Sequence, residues 1–281
     1  MLLVKEYMTD NVVTISPNDT LMHARNTMLR YGIGRLVVVE DGLVKGIITL
    51  TDIMYSVSLP ELYYKPLIDI LVKDVMTPNP VTVKEETSLK EACQIMLKYN
   101  IGGLPVVNDE GVLVGIFTRT DALRAYAENA GDIYTVGQAM DIDPPRVSPY
   151  SSLRKIIEAM ETKPYMKTLV VDGESLMGII TKKDIAFVQI PPKMLDKPFV
   201  KRDSVLPKGK TGGVRFYIVP VAIDIMTPNP ITTMPDDDLG RAVEVMLENR
   251  IGGLPVIEGG ERLVGLVTKH HVIEKLSSMN I

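Results

Sequence analysis

The sequence has one cysteine, Cys93, three histidines and no tryptophan among its 281 residues. A single thiol excludes an internal disulfide framework and any cysteine-built metal site, and a reducing cell interior is the expected setting. Little is left for catalysis. His23 lies in a helical stretch without an evident partner, and Cys93 falls on the apolar face of a predicted helix, where a thiol is buried and inert. His270 and His271 are adjacent, so on a helix they point in different directions, and no carboxylate cluster accompanies them as metal ligands would require. Long apolar runs are also missing, because charges, prolines and glycines interrupt each one before it could cross a bilayer. The opening Met1-Leu2-Leu3-Val4-Lys5-Glu6-Tyr7 meets charge too early for a secretory apolar region, so a cytoplasmic protein is expected. Neither sign of charge dominates: 31 basic against 35 acidic residues give −4, which argues against a general binder of nucleic-acid backbones.

What is present is a foldable chain. Hydrophobic residues make up 46% and charged residues 23%, enough apolar surface to offset the entropy of ordering. It is also repetitive. Met76-Thr77-Pro78-Asn79-Pro80-Val81-Thr82 recurs as Met226-Thr227-Pro228-Asn229-Pro230-Ile231-Thr232, and Ile101-Gly102-Gly103-Leu104-Pro105-Val106 recurs as Ile251-Gly252-Gly253-Leu254-Pro255-Val256. Weaker copies open at Met8 and Met140. Each copy closes on a Gly-apolar-apolar-Thr segment ending at Thr49, Thr118, Thr181 or Thr268. From opening Met to closing Thr the four copies span 41, 42, 41 and 42 residues. Four such coincidences establish a repeat.

Within a repeat the periodicity changes in fixed order. In the second, the β-prone Pro80-Val81-Thr82-Val83 leads to a helix with Leu89, Ala92, Cys93, Met96 and Leu97 on one face, and Ser88 and Glu91 stand at capping-box spacing. Residues 104–107 and 112–118 read as strands joined by the turn Asn108-Asp109-Glu110-Gly111, and a second helix runs on through Leu123 and Tyr126. The unit is β-α-β-β-α, an α/β (α+β) fold. About sixty residues are marginal alone, so the units are expected to pair, one with two and three with four. The boundaries are 1–58, 68–130, 134–190 and 221–281. Between the last two lies a basic insert, 191–220, rich in turn signals. Around it Lys193, Lys197, Lys201, Arg202, Lys208, Lys210 and Arg215 face only Asp196 and Asp203. Its Gly209-Lys210-Thr211 is no phosphate loop, because Ser204 holds the first-glycine position and Pro207 interrupts.

These motifs together resemble CBS domains, of the cystathionine-β-synthase type, and the chain looks like a four-CBS protein made of two Bateman modules. The resemblance covers nearly all of it except the insert. It implies a non-enzymatic regulatory sensor that binds an adenosine-containing ligand between paired repeats and signals to a regulated protein. Similar layouts are the γ subunits of AMP-activated kinase and stand-alone archaeal or bacterial CBS proteins. No cofactor is required, nucleic acid is not an expected partner, and a homodimer is compatible with these features.

The informative segments are Thr49-Leu50-Thr51-Asp52, Thr118-Arg119-Thr120-Asp121, Thr181-Lys182-Lys183-Asp184 and Thr268-Lys269-His270-His271. Each marks a strand running into a helix, where free backbone N–H groups favour an anion. A carboxylate in that first turn can accept both hydroxyls of a ribose, as in dinucleotide-binding folds. Thr-x-x-Asp is equally a capping box needing no ligand. The resemblance favours Thr49, Asp52, Thr118, Asp121, Thr181 and Asp184 as ribose and phosphate positions, and Thr14, Ile33, Gly34, Thr82, Ile101, Gly102, Thr232, Ile251 and Gly252 on the adenine side. The glycines could instead serve tight packing alone. The third repeat departs, reading Met166-Lys167-Thr168 for Ile-Gly-Gly and Arg146 for the strand threonine. The fourth is degenerate, with His271 after Thr268 where the carboxylate belongs. Arg35, Arg119, Lys182, Lys183 and Arg146, with Lys269 and His270, are candidate phosphate contacts. AMP, ADP or ATP fits if these cations converge. S-adenosylmethionine or methylthioadenosine fits if the pocket beyond the ribose is apolar and methionine-lined. An alternative of another class is an adaptor docking nucleic acid or protein through the insert, whose net charge is +5.

Overall fold

The computed structural model describes residues 2–56, 65–186, 199–202, 215–218, 220–260 and 262–279. The second repeat shows how the unit is built. Ser88 Oγ accepts the Glu91 N–H at 3.2 Å and starts the helix Leu89–Lys98. Leu89, Ala92, Cys93 and Met96 on its inner face are fully buried. The helix stops where Asn100 turns to φ +50°, as Gly32 and Arg250 do at φ +67° and +53° in the first and fourth repeats. The hairpin Gly103–Val107 and Leu113–Thr118 follows, its turn closed by Asn108 Oδ1 accepting the Val112 N–H at 2.9 Å. Every repeat's hairpin carries an irregularity at the same place, after Val38, Val106, Val170 or Val256. The first strand is smaller than the sequence implies. It is two residues in repeats one and three (Thr14–Ile15, Arg146–Val147), and only the Val83–Val106 and Thr233–Val256 bridges in two and four.

Pairing of one with two and three with four is built from the two most repetitive sequence features. The Met-Thr openings leave their own repeat and pair with the last strand of the partner: Thr77–Pro78 joins Leu43–Thr49, and Thr227–Pro228 joins Ser175–Thr181. Thr9 bridges Ile116, and Asp141 bridges Leu266. Each opening methionine then lies on the glycine of its partner's Gly-apolar-apolar-Thr segment. A Cβ on Gly46, Gly115, Gly178 or Gly265 would stand 2.5–2.7 Å from the sulfur of Met76, Met8, Met226 or Met140 respectively. No side chain fits there, so opening and closing motifs form one reciprocal lock.

The modules then meet through helices. Leu50–Ser56 packs on Lys182–Ala186, with Met54 in the third repeat's core and Ala186 in the first's. Helices of repeats two and four share one core, in which Leu89, Ala122 and Tyr126 meet Leu239, Val243, Val272 and Leu276. None of the described helices is long and apolar enough to cross a membrane. Within the insert, Phe199–Arg202 and Arg215–Ile218 form an antiparallel ribbon, while residues 203–214, including Gly209-Lys210-Thr211, and the insert's side chains lie outside the described set.

Candidate functional site

Each strand-to-helix junction is capped by its own chain. Asp52 Oδ2 accepts the Thr49 N–H and the Thr49 hydroxyl, both at 2.7 Å. Asp121 and Asp184 bind Thr118 and Thr181 in the same way, at 2.6–2.7 Å. In the fourth repeat the imidazole does this work, His271 Nδ1 accepting the Thr268 N–H at 3.1 Å. Burial pulls the His271 pKa down to about 4, so the ring is neutral and Nδ1 is free to accept. The capping reading of Thr-x-x-Asp is therefore physically realised in the first three repeats, and Thr-x-x-His does the same in the fourth. The expectation that free N–H groups there receive an anion is corrected. The Thr51 and Thr120 N–H groups go to the preceding threonine hydroxyls. Those of Leu50, Arg119 and Lys269 go to the carbonyls of Gly34, Gly102 and Gly252.

The three aspartates differ in what is left over. Asp121 Oδ1 is taken by Arg124, whose guanidinium also donates to the Tyr7 carbonyl. Asp52 and Asp184 each keep one oxygen without a hydrogen-bond partner among the described residues. Asp52 has its pKa raised, chiefly by burial, against the opposing pull of Thr49 and of Lys182.

A cavity of about 810 Å³ opens between the four repeats. Of the expected positions it is lined by Gly34, Arg35, Thr49, Asp52, Ile101, Gly102, Arg119, Thr181, Lys182, Lys183, Gly252 and Thr268. Thr14, Ile33, Thr82, Thr118, Asp121, Arg146, Asp184, Thr232, Ile251 and His271 are not among its lining residues, and Arg146 is exposed. The lining also includes residues that were not among the expected site positions. Thr77, Asn79, Pro80 and Val81 come from the crossing strand and its continuation, and Tyr99, Asn100 and, from the helix Leu50–Ser56, Tyr55 also line it. Only the pairing of strands across repeats could have placed 77–81 beside Asp52.

Among the described residues, seven lysine and arginine side chains line this chamber: Arg35, Arg119, Lys167, Lys182 and Lys269, which come from all four repeats and are partly buried, and Lys183 and Arg250, which are exposed. Burial first, then their mutual repulsion, lowers Lys167 to about 7 and Lys182 and Lys269 to about 8. Burial likewise brings Arg35 and Arg119 down to about 10. Arg119 and Lys269 are moreover the first residues of their helices, where the macrodipole opposes a positive charge. Lys182 donates to Thr51 Oγ1 at 2.9 Å and Lys269 to Thr120 Oγ1 at 2.8 Å, each reaching from the second module to the first.

The strand register also corrects the alignment of the third repeat. Lys167 pairs with Thr181 as Arg35 pairs with Thr49, Gly103 with Thr118 and Gly253 with Thr268. The departure from Ile-Gly-Gly is thus Tyr165-Met166-Lys167, one residue earlier than the sequence alone placed it. Odd repeats put a long cation where even repeats have the second glycine. Arg35 lies on Gly102 and Gly103 and donates to the Gly102 carbonyl, and Lys167 lies on Gly252 and Gly253. The glycine pairs receive the neighbouring repeat's cation.

With this geometry in place, comparison with known proteins assigns the family. CBS domains match residues 4–59, 72–128, 133–190 and 221–278, and the chain belongs to the CBS domain family. It is 29% identical over 275 residues to protein MJ1225 of Methanocaldococcus jannaschii, across 94% of each chain. The crystal structure of MJ1225, a protein likened to g-AMPK, matches with a TM-score of 0.80 and 25% identity over 98% of this chain and all of that one. An inosine-5'-monophosphate dehydrogenase of Korarchaeum cryptofilum is 32% identical over 198 residues, 66% of this chain but 37% of the enzyme.

Proposed function

We propose that the protein is a regulatory sensor of an adenosine nucleotide, held with its ribose at Asp52 and its phosphates in the cationic chamber. The observation that carries this is the convergence of five partly buried cations from four repeats on one cavity that also contains a carboxylate oxygen with no hydrogen-bond partner among the described residues. Cations this close lower one another's pKa, and in a half-buried site they are relieved by a bound anion. The base fits between the 77–81 segment and Ile101-Gly102, where an apolar wall and backbone groups suit a heterocycle. A sulfonium ligand is positively charged and gains nothing from such a chamber, and Met166 is the one methionine among the described residues lining it. This favours AMP, ADP or ATP over S-adenosylmethionine.

Signalling follows from where the chamber lies. Lys182 and Lys269 both belong to the second module and hydrogen-bond the first. A phosphate group competing for these ammonium groups changes the contact between modules, and a regulated protein reads the difference. The test is calorimetric titration of the full chain with AMP, ATP and S-adenosylmethionine at fixed ionic strength. Binding of the nucleotides without the sulfonium compound supports the reading. Tight binding of the sulfonium compound alone refutes it.

A further inference from the structure

The grooves of the first and fourth repeats are assembled from equivalent parts. In the first, the cap of Thr49 and Asp52 shares the chamber lining with Thr77, which pairs with Ile47, and with Ile101-Gly102 at the entry of the partner repeat's hairpin. In the fourth, the cap is Thr268 and His271, and Asp141 bridges Leu266 as Thr77 pairs with Ile47. The strand register puts Tyr165-Met166 where Ile101-Gly102 stand. Three repeats hold isoleucine at that register, Ile33, Ile101 and Ile251, and the third holds a tyrosine. The Tyr165 hydroxyl donates to Asp141 Oδ2 at 2.7 Å, and Lys163 Nζ lies 2.9 Å from the same oxygen. Its ring stands roughly perpendicular to the His271 imidazole, with centroids 5.2 Å apart, and packs in a small core with Leu263 and Leu266. The phenol thus spans from the crossing strand to the cap. Burial follows the ring. Ile47, Thr49, Asp52, Pro80 and Val81 of the first groove are half-buried, whereas Leu266, Thr268, His271, Pro144 and Pro145 at the same places of the fourth are buried. Of Asp141, Tyr165, Leu266 and His271, Tyr165 alone reaches the chamber lining.

We propose that the Tyr165 side chain is a built-in occupant of the fourth repeat's groove: its ring holds the place a planar ligand would take, and the groove admits a soluble ligand only when that ring is removed. The substitutions around it fit together. Asp141, where the other repeats have Thr9, Thr77 and Thr227, gives the phenol its acceptor. An imidazole at 271 lets an aromatic ring pack where a carboxylate would stand against Asp141. What is latent there is a site for an aromatic ring bearing one hydroxyl, since an apolar space left by a removed side chain takes up a small molecule of its shape. The proposal takes the equivalence of the grooves from the fold and does not depend on AMP binding at Asp52.

The experiment uses the full chain as wild type, Tyr165→Ile and Tyr165→Phe, with p-cresol, the analogue of the tyrosine side chain, as the probe. Isoleucine is what the other three repeats hold at this register, so Tyr165→Ile keeps the fold. Tyr165→Phe keeps the ring and loses only the bond to Asp141. Tyr165→Ile should melt below the wild type and regain roughly 2–5 °C with p-cresol at about ten times its Kd, whereas p-cresol leaves the wild type and Tyr165→Phe unmoved. In Tyr165→Ile the probe should also shift the His271 imidazole signals in NMR, which are readily assigned in a chain with three histidines. A Tyr165→Ile chain that folds only with p-cresol present supports the proposal equally. Equal effects of p-cresol on the wild type and Tyr165→Ile, or no effect on folded Tyr165→Ile, overturn it. AMP is titrated into the same proteins: a wild type that binds none removes the nucleotide reading, and p-cresol still decides what fills the fourth groove.

Discussion

In the proposed reading Asp52 carries two roles on two oxygens, and a pair of substitutions separates them. Oδ2 caps the helix Leu50–Ser56 through Thr49, while the second oxygen has no partner among the described residues. Asparagine keeps one carbonyl oxygen for the cap and replaces the other oxygen with an amide that donates. Asp52→Asn should therefore melt near the wild type yet bind AMP about ten- to hundredfold more weakly, from the roughly 1.5–3 kcal/mol of a charged hydrogen bond. Asp52→Ala removes both roles. It should lose affinity to the same degree and in addition about 1 kcal/mol of cap, a few degrees in melting temperature. Asp121 provides the contrast, because Arg124 already occupies its second oxygen. Asp121→Asn should change AMP affinity less than Asp52→Asn does. Calorimetry with AMP and melting followed by circular dichroism measure all three. Wild-type affinity in Asp52→Asn would show the carboxylate to be a cap and nothing more.

Two further outcomes test the chamber and the lock. Lys167, Lys182 and Lys269 sit at about 7, 8 and 8 when folded, below the roughly 10.4 of an unfolded lysine. Between those values the unfolded chain binds more protons, so the ligand-free protein should melt higher as pH rises from about 7 to 9, and Lys167→Met should flatten the lower part of that rise. A bound polyphosphate raises these pKa values, so its affinity should fall over the same window with proton uptake, read from calorimetry in buffers of different ionisation enthalpy. Gly102→Ala meets the end of the flexible Arg35 side chain at 2.6 Å, whereas Gly178→Ala meets the Thr227 carbonyl at 2.7 Å. The first should weaken anion binding with little loss of stability, and the second should cost about 1–3 kcal/mol in denaturant melts.

Much of the fold was legible because the repeats state it four times. The helix Leu89–Lys98, the turn at Asn108 and the Thr118 junction each follow from local chemistry, and pairing follows from units too small to stand alone. What was hidden depends on contacts between repeats. Nothing near Met76 signals that its sulfur rests on Gly46, thirty residues upstream. The strand Thr77–Pro78 looks like a turn in isolation, since its partner Gly46-Ile47 lies in another repeat. The third repeat was misaligned by one residue because Tyr165-Met166-Lys167 shares no identity with Ile-Gly-Gly, and only the register against Thr181 fixes it. Lys167 was missed for the same reason. The cations near the motifs were visible, but their convergence was not, because it needs two modules packed helix to helix.

That packing is also why the protein reads as a sensor. A store of positive charge inside one rigid unit would bind an anion and transmit nothing. Here Arg35 and Arg119 belong to the first module and Lys167, Lys182 and Lys269 to the second, so their repulsion acts across the interface that the shared core of repeats two and four holds closed. The hydrophobic contact opposes the electrostatic one, and the balance is set by a group that can be added or removed. In the proposed reading an anion binds most tightly where both modules face it together, and by linkage it favours that arrangement to the same extent. On the same reading the sensitivity of such a switch depends on these cations. Lys182→Met combined with Lys269→Met should leave a module pair that is more stable without ligand and indifferent to it, as measured by melting with and without pyrophosphate. A double variant still stabilised by pyrophosphate as strongly as the wild type would place the coupling elsewhere.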